Sequence, residues 1–118
     1  MQDLWLMSYK IVATAHFKSE LKRLSKKYRS LKTEYVGLLD NLEKNPTFGK
    51  HLGNQAYKIR LAIASKNSGK SGGLRIITFV IIADQTIVLL TIYNKSSQSN
   101  ISTKEITQLI ETYRKTNQ

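Results

Sequence analysis

Residues 57 to 95 read YKIRLAIASKNSGKSGGLRIITFVIIADQTIVLLTIYNK, and this stretch limits the folds open to the chain more than any other. Tyr57, Ile59, Leu61 and Ile63 alternate with Lys58, Arg60, Ala62 and Ala64. A two-residue period belongs to a strand with one face on a core and the other on something different. The pattern predicts three successive strands, at 57–64, 74–83 and 86–93. A basic connection at 65–73 joins the first two, and the tight turn Ala83-Asp84-Gln85 joins the last two. The face turned away from the core carries lysine and arginine.

Elsewhere the period changes. Residues 8–15 alternate Tyr9, Ile11 and Ala13 with Lys10, Val12 and Thr14 and read as a first strand. From Phe17 the apolar steps become four, three, four, three through Leu21, Leu24, Tyr28 and Leu31, which is one helix stripe. A second helix starts near Thr33 on Tyr35, Leu38, Leu39 and Leu42, and stops at Asn45-Pro46. So short a joint predicts a helical hairpin. Residues 47–56 read as a loop turned by Gly49 and Gly53. Ser102 and Glu105 form a capping box ahead of a last helix striped by Ile106, Leu109, Ile110 and Tyr113. The expected fold is a single α+β domain over 1–118: a small, mostly antiparallel four-stranded sheet, the helical hairpin, and a C-terminal helix, with helices on one side of the sheet.

Composition narrows the chemistry. Nineteen Lys and Arg against eight Asp and Glu leave a net charge of +11, a field that draws polyanions. There is no cysteine, hence no disulfide or thiolate metal site. No HExxH or acidic cluster has metal-ligand spacing, so neither a metal nor another cofactor is expected. The longest apolar run, 76–83, is too short for a membrane span, and no signal peptide precedes the first strand; a soluble cytoplasmic protein is expected. Gly69-Lys70-Ser71 fails as a nucleotide loop, because Ala64 occupies the position of its first glycine and a strand follows.

The basic residues of the strands are the candidate site. Lys58 and Arg60 share one face, Arg75 stands among Leu74, Ile76 and Ile77, and Tyr93 and Lys95 project to a common side. Arginine offers a fork to phosphate oxygens and lysine a point charge. Lys66 and Lys70 in the connection and His51 in the loop are candidate RNA contacts, and His51 is also a candidate acid or base. The plain alternative for these cations is pairing with carboxylates, of which there are few. His16, at the start of the first helix, reads as a capping or surface residue.

The segments KIRLA, GKSGGLRII and LLTIYNKSSQSNIS, with the FKSELKRLSKKYRSLK helix and LLDNLEKNPTFGKHL, resemble the RelE/ParE superfamily of toxins from type II toxin–antitoxin modules, in its RelE/HigB-like branch. That resemblance implies a metal-independent, ribosome-dependent mRNA endonuclease that leaves 2′,3′-cyclic phosphate and 5′-hydroxyl ends. It implies as partners the ribosome, mRNA and a cognate antitoxin. By position, Arg75 falls on the arginine at the scissile phosphate, Lys58 and Arg60 on basic residues of the neighbouring strand, and Tyr93 and Lys95 on late catalytic positions. Some members carry a histidine near Lys95 and a tyrosine near Ile101, and this chain has neither. One scaffold also carries other functions, so a ParE-like inhibitor of DNA gyrase and a plain RNA-binding module stay open.

Overall fold

The computed structural model describes residues 8–66, 73–96, 98 and 100–117. The elements are β1 (Lys10–Ala13), α1 (Ala15–Lys27), α2 (Leu31–Lys44), β2 (Lys50–Gly53), β3 (Ala56–Leu61), a 3-10 turn at Ala64–Lys66, β4 (Leu74–Ile81), β5 (Thr86–Asn94) and α3 (Thr103–Thr116). The strands form one five-stranded sheet in the order β1-β5-β4-β3-β2. β1 runs parallel to β5, and the other neighbours are antiparallel.

Two expectations need correction. The sheet has five strands, because β2 lies within the stretch read as a loop. It is a four-residue edge strand, Lys-His-Leu-Gly, with no apolar alternation to announce it. Its partner β3 and the two-residue turn between them create it. Asn54 and Gln55 hold φ of 52° and 65° there, the doubly left-handed turn that matches strand twist. The helices also do not share one side. α1 and α2 bury Phe17, Leu24, Leu31, Leu38 and Leu42 against Ile59, Leu74, Ile76, Ile87, Leu89 and Ile92. α3 lays Ile106, Leu109, Ile110 and Tyr113 on the opposite face, against Ile77, Phe79, Val88 and Leu90.

Local chemistry fixes the helix ends. The Thr14 hydroxyl accepts from the Phe17 amide at 3.1 Å and donates to the Leu89 carbonyl at 3.1 Å, so one side chain caps α1 and ties it to β5. Lys26 and Lys27 lie in the last turn of α1, where its dipole favours cations. α2 ends at Asn45, just before Pro46, as the sequence requires. Its Glu34 carboxylate accepts from the Ala64 amide at 2.7 Å and from the Ser30 hydroxyl at 3.0 Å, pinning the turn after β3 to the hairpin. The capping box of α3 forms as expected: the Glu105 amide donates to the Ser102 hydroxyl at 3.1 Å, and the Ser102 amide to the Glu105 carboxylate at 3.2 Å.

The β4–β5 register slips between Ile77 and Thr78: Ile77 faces Thr91, while Thr78 faces Leu89. Leu90 is thus an extra residue, a β-bulge that reverses the alternation of β5. Before it, Ile87 and Leu89 lie on the hairpin side. After it, Ile92 takes that side and Tyr93 turns to the other face.

Candidate functional site

The reversal places Tyr93 in a row with two arginines. Arg60 pairs with Arg75 across β3 and β4, and Arg75 pairs with Tyr93 across β4 and β5. Directly opposed residues project to the same face of a sheet. The neighbouring row runs Lys50, Lys58, Ile77. Lys58 and Arg60 alternate along β3, so both rows lie on the face that α3 covers only at its apolar end.

Arg75 is the unusual member. Its side chain is 3% exposed, and Nη1 donates to the Leu74 carbonyl at 3.3 Å. Among the described residues no carboxylate forms an ion pair with Arg75, Arg60, Lys58 or Lys95; the pair found is Arg23 with Glu20, at 2.8 Å. Pairing with carboxylates therefore does not account for these cations. A buried, unpaired guanidinium costs several kcal/mol relative to a paired or solvated one, on the order of the desolvation penalty for an ion. Such a fork of donors has the chemistry to bind an anion.

Lys58 feels the concentration of charge. Burial first, then the fields of Lys50, Arg75, Arg60 and Lys95, hold its ammonium below the usual lysine range. Lys95 follows the end of β5, and its influence on Lys58 brings it to the same cluster. Tyr93 moves the other way. Burial pushes its phenol up; Arg75 partly offsets this, and Glu105 adds to the rise. Tyr93 therefore keeps its proton. Its hydroxyl is buried and has no hydrogen-bond partner among the described residues.

A cleft of about 330 Å³ opens between Phe48, Gly49, Lys50, Lys58 and Arg60. Lys50 joins this cluster of cations although no strand pattern in the sequence marks it, because β2 is not legible as a strand. Gly49 makes the approach possible. It sits at φ 112°, and a Cβ there would meet the Lys58 carbonyl at 2.6 Å. The glycine was legible as a turn residue; its closeness to β3 was not.

His51 lies elsewhere. It pairs with Tyr57, one residue from Lys58 and hence on the other face, and its ring lies 5.1 Å from that of Tyr57. Lys70 lies outside the described residues, as does the side chain of Lys66. His16 stands in the first turn of α1, with Nε2 3.1 Å from the Thr91 hydroxyl. Among the described residues no three His, Asp or Glu side chains gather as metal ligands, and no helix is long and apolar enough to cross a membrane.

Residues 9–117 match the family model described as the RelE toxin of the RelE / RelB toxin-antitoxin system. The chain belongs to the RelE toxin family. Solved structures with a similar fold include a free-state double-arginine mutant of the E. coli toxin RelE, 18% identical, with a TM-score of 0.57 over 78% of this chain and 88% of that one. The intact E. coli RelBE toxin–antitoxin complex matches with 18% identity and a TM-score of 0.57, covering 73% of this chain and 95% of that one. The RelBE2 toxin–antitoxin complex of Mycobacterium tuberculosis gives 18% and 0.56, over 74% and 98%. At such identity the likeness speaks for the RelE fold; family membership rests on the family model, which spans nearly the whole chain.

Proposed function

We propose that this RelE-family toxin is a metal-independent, ribosome-dependent mRNA endonuclease, held in check by an antitoxin and acting in the cytoplasm. The observation that carries the reading is Arg75: buried, without a carboxylate partner among the described residues, and flanked on its own sheet face by Arg60, Lys58 and Tyr93. Preorganised cations of this kind are suited to a phosphorane, whose negative charge grows as the reaction proceeds.

The chemistry follows from the groups present. Lys58, whose pKa burial and the neighbouring cations lower, gives up its proton more readily than an ordinary lysine, and in its neutral form it can accept the proton of an RNA 2′-hydroxyl. The 2′-oxygen attacks the adjacent phosphorus, and the bond from phosphorus to the 5′-oxygen breaks. Arg75 and Arg60 hold the equatorial oxygens through their forks. Lys95, in its ammonium form, gives a proton to the departing 5′-oxygen. The products are a 2′,3′-cyclic phosphate and a 5′-hydroxyl. Tyr93 braces Arg75 and, still protonated, offers a hydrogen bond. Lys66 and Lys70, in the connection after β3, are further contacts to the RNA backbone. His51, on the other face, takes no part in this step. The antitoxin partner is supported by the similar folds solved as toxin–antitoxin complexes.

The test is induction of the toxin in cells without antitoxin, with mapping of mRNA 5′ ends. Cuts confined to translated regions are expected. Arg75→Ala should lower cleavage about 100-fold or more while the protein stays folded, in line with the loss of a donor to a developing oxyanion. Intact mRNA with halted replication would instead point to a gyrase inhibitor.

A further inference from the structure

Lys95 stands one residue beyond the last ladder pair of β4 and β5, Leu74 with Asn94, yet its charge is felt at Lys58. The residue before it is a buried polar side chain that phosphate chemistry does not use. Asn94 is 7% exposed and lies between Tyr93 and Lys95 in the chain. Successive residues of a strand project to opposite faces, so Tyr93 turns to the Arg75 side and Asn94 to the hairpin side. There Asn94 Nδ2 donates to the Tyr28 hydroxyl at 2.7 Å, a buried bond between the end of β5 and the C-cap residue of α1. Tyr28 belongs to the same core cluster as Leu24 and Leu31. The other half of the amide faces forward along the chain. Asn94 Oδ1 accepts from the Ser96 amide at 3.0 Å and from the Ser96 hydroxyl at 2.7 Å. The Asn94 carbonyl accepts from the Gln98 amide at 3.0 Å, which closes the turn behind Lys95.

We propose that Asn94 and Tyr28 are positioning residues that hold Lys95 where it can protonate the leaving 5′-oxygen. The inference rests on the proposed cleavage of RNA with Lys95 as its acid. An asparagine whose side chain accepts the amide two residues on makes an Asx turn, and the residue enclosed by that turn has its backbone fixed. Here the enclosed residue is Lys95. The amide can serve Ser96 in one orientation only, because turned over it would set its NH2 group against the Ser96 N–H. Tyr28 takes the NH2 end, which leaves the carbonyl end for Ser96. A side chain rooted in the hairpin core on one face of the sheet thus fixes a cation that serves the other. In the step itself a Lys95 N–H bond breaks as the bond from phosphorus to the 5′-oxygen breaks. The new O–H bond forms on that oxygen, and a neutral amine remains. Proton transfer of this kind depends on reach, and a misplacement of about 1 Å can cost about 100-fold.

The leaving group separates positioning from packing. The toxin is given ribosome-bound mRNA with an ordinary linkage at its cut, and the same mRNA with sulfur in place of the 5′-bridging oxygen. A thiolate, whose parent thiol has a pKa of about 8.5, departs without a proton, whereas an alkoxide needs one. On the oxygen linkage Asn94→Ala and Tyr28→Phe should lower kcat about 10- to 100-fold with KM unchanged, as expected when an interaction made only in the transition state is lost. On the sulfur linkage that deficit should close. Lys95→Ala should show the same contrast between the linkages, and Arg75→Ala should be slow on both. Tyr28→Phe keeps the buried ring and loses only the hydroxyl, so it reports on the bond even where Asn94→Ala disturbs the turn more widely. An equal loss on both linkages, or full activity on both, overturns the positioning role and leaves the nuclease reading intact. A wild type that cuts neither linkage removes the nuclease reading, and the role of Lys95 with it.

Discussion

Lys58 concentrates the conflict between the proposed function and stability in one side chain. Burial disfavours its charge most, and its neighbours Lys50, Arg75, Arg60 and Lys95 repel it further. A lysine whose folded-state pKa lies below the unfolded value binds its proton more weakly when folded. Protonation therefore favours the unfolded chain, and this group's contribution to stability recovers as pH rises through the lowered pKa towards 10.5. Replacing it with an uncharged side chain of similar length removes the penalty. Lys58→Met should thus raise the melting temperature at pH 7, with a gain that shrinks as pH approaches 10, while cleavage falls by two or more orders of magnitude on the scale of about 10²–10⁴ for a lost general base. A melting temperature lower than wild type at pH 7 would contradict the crowding argument. Gain of stability on loss of a functional group is a common signature of sites built under strain.

Among the elements, β2 depends most on its surroundings. It exists through β3, and the turn that joins them asks two non-glycine residues, Asn54 and Gln55, to adopt positive φ. Asparagine tolerates this; glutamine does not share the tolerance. The Gln55 carbonyl accepts from the Val80 amide at 2.9 Å, a bond that any residue can make. Gln55→Gly should therefore stabilise the protein. Relief of about 1–2 kcal/mol of left-handed strain outweighs the roughly 0.5–1 kcal/mol entropic cost of glycine. Chemical denaturation would read the difference as a higher midpoint at unchanged slope. The opposite change, Gly49→Ala, should displace β2 from β3, because its Cβ has no room beside the Lys58 carbonyl. The bulge at Leu90 has a comparable role in β5. Without it Tyr93 would share the hairpin side with Ile87 and Leu89, and the row of Arg60, Arg75 and Tyr93 would not form.

For the molecule as a whole, +11 charges on 118 residues mean self-repulsion when folded and attraction to polyanions, the proposed RNA among them. Salt should act in opposite directions on the two. Raising ionic strength from about 0.05 to 0.2 M screens the repulsion over a shorter Debye length, so the melting temperature should rise. Over the same range RNA affinity should fall, with a log–log slope of about −0.7 for each phosphate contacted. Scanning calorimetry and oligonucleotide titration in matched buffers measure the two trends. A melting temperature that falls with salt would mean that attractive pairs, not repulsion, dominate the surface.

The sequence by itself determined the parts whose cause is local. Period two marked β1 and β3, apolar runs joined by a tight turn marked β4 and β5, helical stripes marked α1 and α2, and Ser102 with Glu105 marked the start of α3, because each signal spans only a few residues. Charge counting and one arginine inside an apolar strand pointed to Arg75, Arg60 and Lys58, and the motifs around them resembled the family to which the chain proves to belong. Tertiary structure alone decided what depends on distant partners. It made β2 a strand, paired β1 with β5 in parallel, and set α3 on the face opposite the hairpin. It added Lys50 to the cations, removed His51 from them, and tied Tyr28 to Asn94 at the end of β5. Periodicity tells which residues share a face within one strand. Which face that becomes, and who stands opposite, depends on register, and here a single extra residue at Leu90 reverses the answer.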